Sequence, residues 1–304
     1  MSTAASRRPA YPERLRAQVE RYLETIRFSD EHATAGLEEA MRYSLLGGGK
    51  RIRPVLSLAT AHALGHEGEE VLPLAGAVEL IHTYSLIHDD LPAMDDDDLR
   101  RGRLACHKAF GEDVAILAGD GLYAEAFRLL LSEQRGGPAD LLACARELAS
   151  ATGVNGMVGG QYIDVAGMAA DGAAGLRRLH ELKTGRLIAA SIECVGLLFG
   201  EQSPEVIAAL RSLAGELGVL FQIVDDILDV TGSSQTLGKQ QGSDERLGKR
   251  TYVTEFGLDG ARRLADEAVA HARGAVAALG GDGLRGEGAA ELAQITDFIA
   301  TRTH

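Results

Sequence analysis

Cysteine, tryptophan and proline are scarce in this chain of 304 residues, which contains three cysteines, no tryptophan and seven prolines. Because Cys106, Cys144 and Cys194 stand far apart in sequence, their spacing indicates neither a zinc site nor a disulfide framework. Such a pattern is typical of a reducing compartment, and we expect a cytoplasmic protein. The first residues lack an apolar core, so we predict no secretory signal.

Basic residues are also in deficit, since 31 Lys and Arg stand against 44 Asp and Glu and leave a net charge of −13. Proteins that coat nucleic acid usually carry a basic surface, so we expect no nucleic-acid partner. The most apolar long stretch, from Leu187 to Gly200, contains Glu193 and is too short to cross a bilayer. We predict a buried helix there and no stable membrane insertion.

Runs that alternate between apolar and polar residues, as strands do, are nearly absent. Long stretches rich in Ala, Leu, Glu and Arg have helical spacing instead and predict an all-α fold of ten or more helices without a substantial sheet. We expect a single domain over residues 1–304, with a flexible tail at residues 1–12. One long polar connection, from about Thr231 to Gly257, is expected to be functional, as such loops usually are.

Aspartates, by contrast, are concentrated in two segments, HDDLPAMDDDDLRRGR at 88–103 and DDILD at 225–229. An apolar helical run leads into each of the pairs Asp89–Asp90 and Asp225–Asp226, so we expect both pairs to face a cleft at a helix end. For residues 96–98, a solvated surface loop is an equally good interpretation. Oxygen ligands on a rigid helix suit a hard cation such as Mg²⁺, which usually shares its coordination sphere with substrate phosphates.

Four basic segments provide partners for an anion. They are Lys50, Arg51 and Arg53 in GGGKRIRP, the run of Arg100, Arg101 and Arg103, the HELKTGRL segment with His180, Lys183, Thr184 and Arg186, and a later loop with Lys239, Lys249 and Arg250. Arginine binds phosphate through two hydrogen bonds, and neighbouring glycines let backbone N–H groups approach an anion. Each segment alone is consistent with ordinary surface charge. Together with the aspartates, they predict metal-bridged diphosphate binding, with two sets of cations for two diphosphates.

The motifs GGKRIRP, DDLPAMD, GGQYID, KTG and FQIVDDILD, in this order, resemble the trans-isoprenyl diphosphate synthases, or polyprenyl synthetases. The resemblance runs from about Leu37 to the C-terminus. It implies an all-α bundle around a deep central cavity, a homodimer, and about three Mg²⁺ ions that share substrate phosphates. The implied reaction is the head-to-tail condensation of isopentenyl diphosphate with an allylic diphosphate. The family's usual Pro-Thr is replaced by Leu104 and Ala105, with His107 retained, which leaves the conformation of that loop open.

The resemblance also implies roles for individual residues. The catalytic set is Asp89, Asp90, Asp95, Arg100, Lys183, Thr184, Gln222, Asp225, Asp226 and Lys239, of which Asp89, Asp95 and Asp225 are the metal ligands. The isopentenyl diphosphate set is Lys50, Arg53, His82 and Arg101. Thr184 and Gln222 are expected to line the place where the carbocation forms. Helix spacing agrees in part, because His82, Ser85 and Asp89 fall on one helix face.

Product length is expected to depend on residues Tyr84 and Ser85, which precede Asp89. Tyr84, together with the extra residues Pro92 and Ala93 inside the first motif, resembles bacterial farnesyl diphosphate synthases and favours a C15 product. Tyr84 can also be read as an ordinary core aromatic, and geranylgeranyl diphosphate is the alternative product. A terpene cyclase would share the metal motifs but would not need GGKRIRP. A non-catalytic subunit would be expected to lack aspartates from one motif.

Overall fold

The computed structural model of the protein describes residues 11–200, 203–231, 250–279 and 286–301. Thirteen α-helices lie in these ranges: α1 (Glu13–Thr25), α2 (Ala35–Leu45), α3 (Ile52–Ala63), α4 (Leu72–Asp89), α5 (Cys106–Phe110), α6 (Glu112–Ser132), α7 (Pro138–Thr152), α8 (Met157–Val165), α9 (Gly172–His180), α10 (Arg186–Leu198), α11 (Pro204–Thr231), α12 (Tyr252–Leu279) and α13 (Gly286–Thr301). Two 3₁₀ turns (His32–Thr34, Gly68–Val71) and a π-helical turn (Glu181–Gly185) join some of them. The prediction of an all-α fold with ten or more helices is confirmed.

The strand content of the described residues is one small hairpin, β1 (Leu99–Arg100) paired antiparallel with β2 (Arg103–Leu104). Arg100 lies opposite Arg103 in its register. The hairpin follows the first aspartate segment and leads into α5, so it places the three arginines 100, 101 and 103 beside the end of α4.

The core is built around helices that are apolar on most of their circumference, as expected for buried helices. Helix α4 packs on α3 and α6, α10 packs on α7, α3 and α11, and α11 packs on α12. The buried hydrophobic side chains from Tyr11 to Ile299 form one continuous cluster. Helix α10 covers Arg186–Leu198 and is buried along its length, which confirms the buried helix predicted for that stretch.

Helix α11 is the one described helix that is long and apolar enough to cross a membrane by length and composition. Its buried residues, however, extend from Leu210 to Asp229 and pack against α10 and α12 inside the protein. It also carries the three aspartates of the second motif. Its apolar character is that of a core helix.

Two glycines set how closely the helices around the π turn approach. A side-chain carbon on Gly218 of α11 would lie 2.7 Å from the Cα atom of Gly185, so the two backbones meet directly. A carbon on Gly160 of α8 would lie 2.3 Å from the backbone nitrogen of Lys183. These contacts hold the π turn between α8 and α11.

The structure corrects three boundaries expected from the sequence. Tyr11 is buried and donates a 2.6 Å hydrogen bond to the carbonyl of Lys50, so a flexible tail through residue 12 is wrong. Helix α12 begins at Tyr252, within the predicted 231–257 connection, and Gly257 (φ 68°) interrupts it. The pair Asp225–Asp226 lies inside α11 rather than at its end. Residues 232–249, including Lys239 and Lys249, lie outside the described residues.

Candidate active site

Asp89 is the last residue of α4 and is held by a neighbouring helix. Its Oδ1 accepts a 2.8 Å hydrogen bond from Nε2 of Gln161 on α8. Burial raises the pKa of Asp89 to about 6; the charge of Lys183 opposes this rise, and the nearby Asp95 adds to it. A buried carboxyl close to a second carboxyl is a group that a bound cation would stabilise in its ionised form.

Asp90 has a different environment from its neighbour. It is 2% exposed, and both of its oxygens accept hydrogen bonds from the Arg100 guanidinium, with Nε lying 2.9 Å from Oδ1 and 3.2 Å from Oδ2. Burial raises the pKa of Asp90, and the hydrogen bonds from Arg100 oppose that rise. The pair ties the hairpin to the end of α4 and fixes the position of Arg100. That Asp90 faces the substrate cleft stays a prediction.

The π turn brings Lys183 and Thr184 to the site. Lys183 Nζ donates to Asp164 Oδ2 at 2.6 Å, and Asp164 belongs to α8. Thr184 Oγ1 donates to Gln222 Oε1 of α11 at 3.3 Å. Because Lys183 also interacts electrostatically with Asp89, this turn lies between the two aspartate motifs. π turns of this kind often occur at functional sites.

Asp226 holds two elements together. Its Oδ1 accepts a 2.7 Å hydrogen bond from Nε2 of Gln222, and its Oδ2 accepts one of 2.7 Å from the backbone N–H of Tyr252, where α12 begins. Asp226 is 2% exposed, and both of its oxygens are engaged by these two donors. That it faces the substrate cleft stays a prediction. Asp225, by contrast, is half-buried and lies close enough to Arg53 to raise the pKa of that guanidinium.

Cationic side chains surround His82, which lies two turns before Asp89 on α4; among them are Arg53 of α3 and Arg101 of the hairpin. Arg53 is 9% exposed and its Nε has no hydrogen-bond partner within the described part of the chain. Burial lowers the pKa of Arg53 to about 10, and Arg101 adds to this effect. His82 is also within this field, since burial and then Arg53 and Arg101 lower the pKa of its imidazole well below the ordinary range. Glu79 and Asp225 oppose the lowering at Arg53, and the guanidinium groups of Arg53 and Arg101 are the cations that an anion bound here would meet.

The glycine-rich turn before α3 joins this group to the hairpin. The Arg101 guanidinium donates to the carbonyl of Gly48. A side-chain carbon on Gly49 (φ +127°) would lie 2.8 Å from Arg101 Cζ, so only glycine allows this approach. Lys50, the next residue, is exposed, with its Nζ 5.2 Å from the Phe298 ring centroid.

Arg51 does not belong with the free cations of its segment. Its side chain is fully buried and pairs with Glu79 at 2.5 Å and with Glu20 at 2.9 Å. It also donates to the carbonyl of Leu45. Arg51 therefore stabilises the packing of α1, α3 and α4, while its neighbour Arg53 carries the positive charge of the site.

Tyr84 lies in an aromatic group between α4 and α6. Its ring makes edge-to-face contacts with Tyr123, at 5.2 Å between centroids, and with His88, at 5.6 Å; Tyr123 contacts Phe127 in turn. Burial raises the pKa of Tyr84 to about 12, with smaller contributions from Tyr123 and Asp89. The neighbouring Ser85 donates to the carbonyl of His82 at 2.9 Å.

A small surface cavity lies on a different face of α4. Its lining includes Asp90, Arg100 and Arg101 together with Thr83 and Tyr43, but neither Asp89 nor Lys183. Adjacent helix residues point about 100° apart, which is why Asp89 and Asp90 serve different sides of the helix.

Sequence reasoning assigned no role to three residues that the structure places at the site. Gln161 and Asp164 are three apart on α8 and hold Asp89 and Lys183, respectively. Their helical spacing within GGQYID was the available signal. Glu79 is 1% exposed and pairs with Arg51 one turn before His82. A single glutamate in the apolar run AVELIHTY was its signal.

Comparison with known proteins decides the family. The model for "Polyprenyl synthetase" matches residues 34–278 of this chain. The chain belongs to the polyprenyl synthetase family. This confirms the resemblance stated from the motifs, and it makes the protein a prenyltransferase.

Relatives in this family carry names for different products. A farnesyl diphosphate synthase of Escherichia coli is 44% identical over 270 residues, which cover 87% of this chain and 88% of the relative. The large subunit 1 of a heterodimeric geranylgeranyl pyrophosphate synthase of Arabidopsis thaliana is 44% identical over 273 residues, covering 88% and 72%. Overall similarity therefore does not distinguish the two products.

Solved structures agree with the fold. A geranyltransferase from Helicobacter pylori, determined in complex with magnesium and isoprenyl diphosphate, superposes with a TM-score of 0.82 at 30% identity. The superposition covers 97% of this chain and 96% of that one.

Proposed function

We propose that the protein condenses isopentenyl diphosphate with dimethylallyl or geranyl diphosphate in a Mg²⁺-dependent reaction that ends at farnesyl diphosphate. The observation that carries this proposal is the division of charge along one face of α4. Asp89 offers carboxylate oxygen beside Lys183, while His82 two turns earlier lies among arginines 53 and 101. Two diphosphate substrates would match these two environments, one bound through metal at the carboxylates and the other bound directly by the arginines.

The residues present fit magnesium. The donors at Asp89, Asp95 and Asp225 are all carboxylate oxygens, the ligand type that Mg²⁺ prefers. The raised pKa of Asp89 supports this fit, because burial and the neighbouring Asp95 disfavour its ionised form, which a bound cation would stabilise. Bound Mg²⁺ would neutralise charge that develops on the leaving diphosphate.

The proposed reaction begins when the allylic carbon–oxygen bond breaks and the diphosphate leaves with the electron pair. Lys183, Arg100 and, from the sequence motif, Lys239 bind that diphosphate and stabilise its charge. The double bond of isopentenyl diphosphate then attacks the allylic carbon and forms the new carbon–carbon bond. A proton leaves the resulting cation, and the departing diphosphate is its acceptor. Lys50, Arg53, His82 and Arg101 hold the second diphosphate throughout.

The hydrogen bonds of Gln222 support a role beside the carbocation. Asp226 only accepts hydrogen bonds, so the Gln222 amide must direct its NH₂ group to Asp226 and its oxygen toward Thr184. The Thr184 hydroxyl donates its hydrogen to that oxygen and keeps its own lone pairs available. Two oxygen dipoles of fixed orientation, both part-buried, suit the stabilisation of a cation where water must be excluded.

Tyr84 supports the C15 product. Its ring lies five residues before Asp89 and is supported from behind by Tyr123, so it can stop a growing chain without moving. The adjacent residue, Ser85, has a much smaller side chain than Tyr84, so Tyr84 provides the bulk at this place. The alternative product, geranylgeranyl diphosphate, is favoured by the relatives named for it.

The experiment that tests this function is a product assay. The protein is incubated with Mg²⁺, isopentenyl diphosphate and, separately, dimethylallyl, geranyl or farnesyl diphosphate, and products are resolved by chain length. We expect a C15 diphosphate from the first two starters and little extension of the third. A C20 product would replace the chain-length assignment and keep the reaction. No elongation with any starter would contradict the condensation itself and favour a cyclase or a non-catalytic subunit.

We also propose that the protein acts as a homodimer. Apolar side chains at helical spacing stand exposed on α8, with Val158, Tyr162 and Val165 exposed by 46%, 65% and 62%. A second copy of the chain would cover such a stripe, since exposed apolar patches commonly mark interfaces. Light scattering coupled to size exclusion should give twice the monomer mass. A monomer at assay concentration would contradict this proposal without affecting the reaction.

A further inference from the structure

A second cluster of possible metal ligands lies outside the catalytic set, where the hairpin β1–β2 meets α5. One ligand atom each from Asp96, Asp98 and His107 lies within 4.8 Å of the other two. Asp96 and Asp98 precede the hairpin, and His107 follows it as the second residue of α5. The three side chains therefore close the loop that carries Arg100 and Arg101.

His107 provides the independent observation that points to a ligand. It is 6% exposed, and neither of its ring nitrogens has a hydrogen-bond partner among the described residues. A buried imidazole normally has partners for its nitrogens, because leaving them unpaired is costly. One ring nitrogen of His107 lies within 4.8 Å of an oxygen of each carboxylate, so small side-chain shifts would bring all three atoms to the spacing of ligands on one ion.

We propose that Asp96, Asp98 and His107 bind a divalent ion of the zinc class. The donor set, one imidazole nitrogen and two carboxylate oxygens, differs from the all-oxygen set expected of the catalytic magnesium. Mixed nitrogen and oxygen ligands suit Zn²⁺, Co²⁺ or Mn²⁺, with water completing the coordination. The bound ion joins residues 96–98 to α5 and stabilises the hairpin between them.

Lys108 lies beside the cluster and competes with an ion for Asp98. Asp90 also interacts electrostatically with His107. Lys108 Nζ lies 2.8 Å from one oxygen of Asp98, with the lysine side chain 40% exposed. The Lys108 ammonium already neutralises part of the negative charge of Asp98, and it can turn into solvent when the ion binds. Asp97 is directed elsewhere, with its carboxylate 3.5 Å from the Arg100 guanidinium.

The experiment titrates Co²⁺ into chelator-treated protein that is saturated with Mg²⁺ and follows the visible absorption of Co²⁺ bound to imidazole. We expect one Co²⁺ to bind with these bands and Zn²⁺ to displace it. The Asp98 side chain is 70% exposed, so Asp98→Asn should leave the core intact. It should weaken Co²⁺ binding at least about tenfold, because removing even a group that only hydrogen-bonds to a metal ligand costs that much. His107→Gln should remove the bands.

Two matched variants distinguish a specific metal site from nonspecific attraction of Co²⁺ to the acidic loop. Lys108→Gln should bind Co²⁺ more tightly, because it removes the competing ammonium while keeping every ligand. Asp97→Asn removes the same charge as Asp98→Asn from the same loop and should leave Co²⁺ affinity unchanged. Absence of Co²⁺ bands in the unmodified protein would overturn the proposal. Equal affinity in Asp98→Asn and the unmodified protein, or equal losses in Asp97→Asn and Asp98→Asn, would overturn it as well.

Discussion

In both aspartate pairs the two residues have different environments, but the contacts that produce this difference are not the same. In each pair the second residue, Asp90 or Asp226, is buried and fully engaged by the protein, at 2% exposure in both cases. The first residue, Asp89 or Asp225, is the one that we propose binds the metal. Adjacent positions on a helix point about 100° apart, so the two carboxylates of a pair leave the helix in different directions. We therefore expect the first to serve the ligand and the second to serve the scaffold.

The contacts differ because the pairs occupy different parts of their helices. Asp89 ends α4, and the chain returns ten residues later to place the Arg100 guanidinium on Asp90. Asp226 lies within the continuous helix α11 and accepts the first N–H of the following helix instead. The first motif is therefore stabilised by an ion pair and the second by a backbone hydrogen bond.

The largest effect is expected from removing the first residue of either pair. Asp89→Ala or Asp225→Ala should lower turnover by about a thousandfold, because charge on the leaving diphosphate loses its metal-mediated stabilisation. Circular dichroism and the melting temperature should stay close to those of the unmodified protein. Normal turnover in both variants would contradict the metal-binding assignment.

The second residue should behave in the opposite way, with stability as the main loss. Asn at position 226 has one oxygen where Asp226 has two, so it cannot accept hydrogen bonds from both Gln222 and the Tyr252 N–H. Asp226→Asn should therefore lower the free energy of unfolding by about 1–3 kcal/mol. Urea denaturation measures this loss, and Asp225→Asn is the matched control, expected to lose activity with a smaller change in stability. Equal destabilisation by the two variants would remove the distinction between the paired residues.

The pH dependence of Mg²⁺ binding is expected to follow Asp89 of the first motif. Since the pKa of Asp89 is raised to about 6, Mg²⁺ must displace a proton from it in acid solution. Apparent Mg²⁺ affinity should fall about tenfold per unit as pH drops below 6. Calorimetric titrations between pH 5 and 8 measure this, because that range spans the Asp89 pKa of about 6. Asp89→Asn should flatten that part of the profile.

The same raised pKa acts with the opposite sign on the stability of the metal-free protein. The native state holds the Asp89 proton more tightly than the unfolded chain does, so its contribution to stability is present at low pH. That contribution is lost as pH rises from the ordinary value of 3.8 through about 6. Mg²⁺ should restore stability above that range. A Mg²⁺ affinity independent of pH below 6 would contradict both expectations.

Structural features that depend on neighbouring residues could be predicted from the sequence, whereas features that depend on contacts between distant residues could not. Apolar helical periodicity is local, and it correctly predicted an all-α fold and a buried helix at Leu187–Gly200. The motifs also identified the family. Which carboxylate faces the ligand depends on distant partners, such as the Tyr252 N–H for Asp226, and sequence spacing could not supply these.

The proximity of two free cysteines shows the same limit of sequence-based prediction. Cys144 and Cys194 are 50 residues apart, yet each sulfur lies near the other's carbonyl oxygen, with Cys144 Sγ 3.2 Å from the oxygen of Cys194. Their neighbourhood comes from the packing of α7 on α10. Separation along the chain indicated no relation between them, and only the tertiary fold brings them together.

The smallest effect in rate, and the sharpest test of the two regions, concerns the aromatic residues that precede each pair. Tyr84 precedes Asp89 and makes an edge-to-face contact with Tyr123, while Phe221 precedes Asp225 and lies under the Arg53 guanidinium at 5.8 Å. Tyr84→Ala should therefore lengthen the product, with the C20 fraction rising several-fold at a similar rate, because it removes bulk from the proposed path of the growing chain. Phe221→Ala should leave product length unchanged and raise the KM for isopentenyl diphosphate, because Arg53 loses a contact that positions it. Chromatography of the products from both variants measures the first effect and steady-state kinetics the second. If Phe221→Ala lengthened the product as much as Tyr84→Ala did, the chain would have to grow past α11 rather than past α4, and the C15 argument would lose its basis.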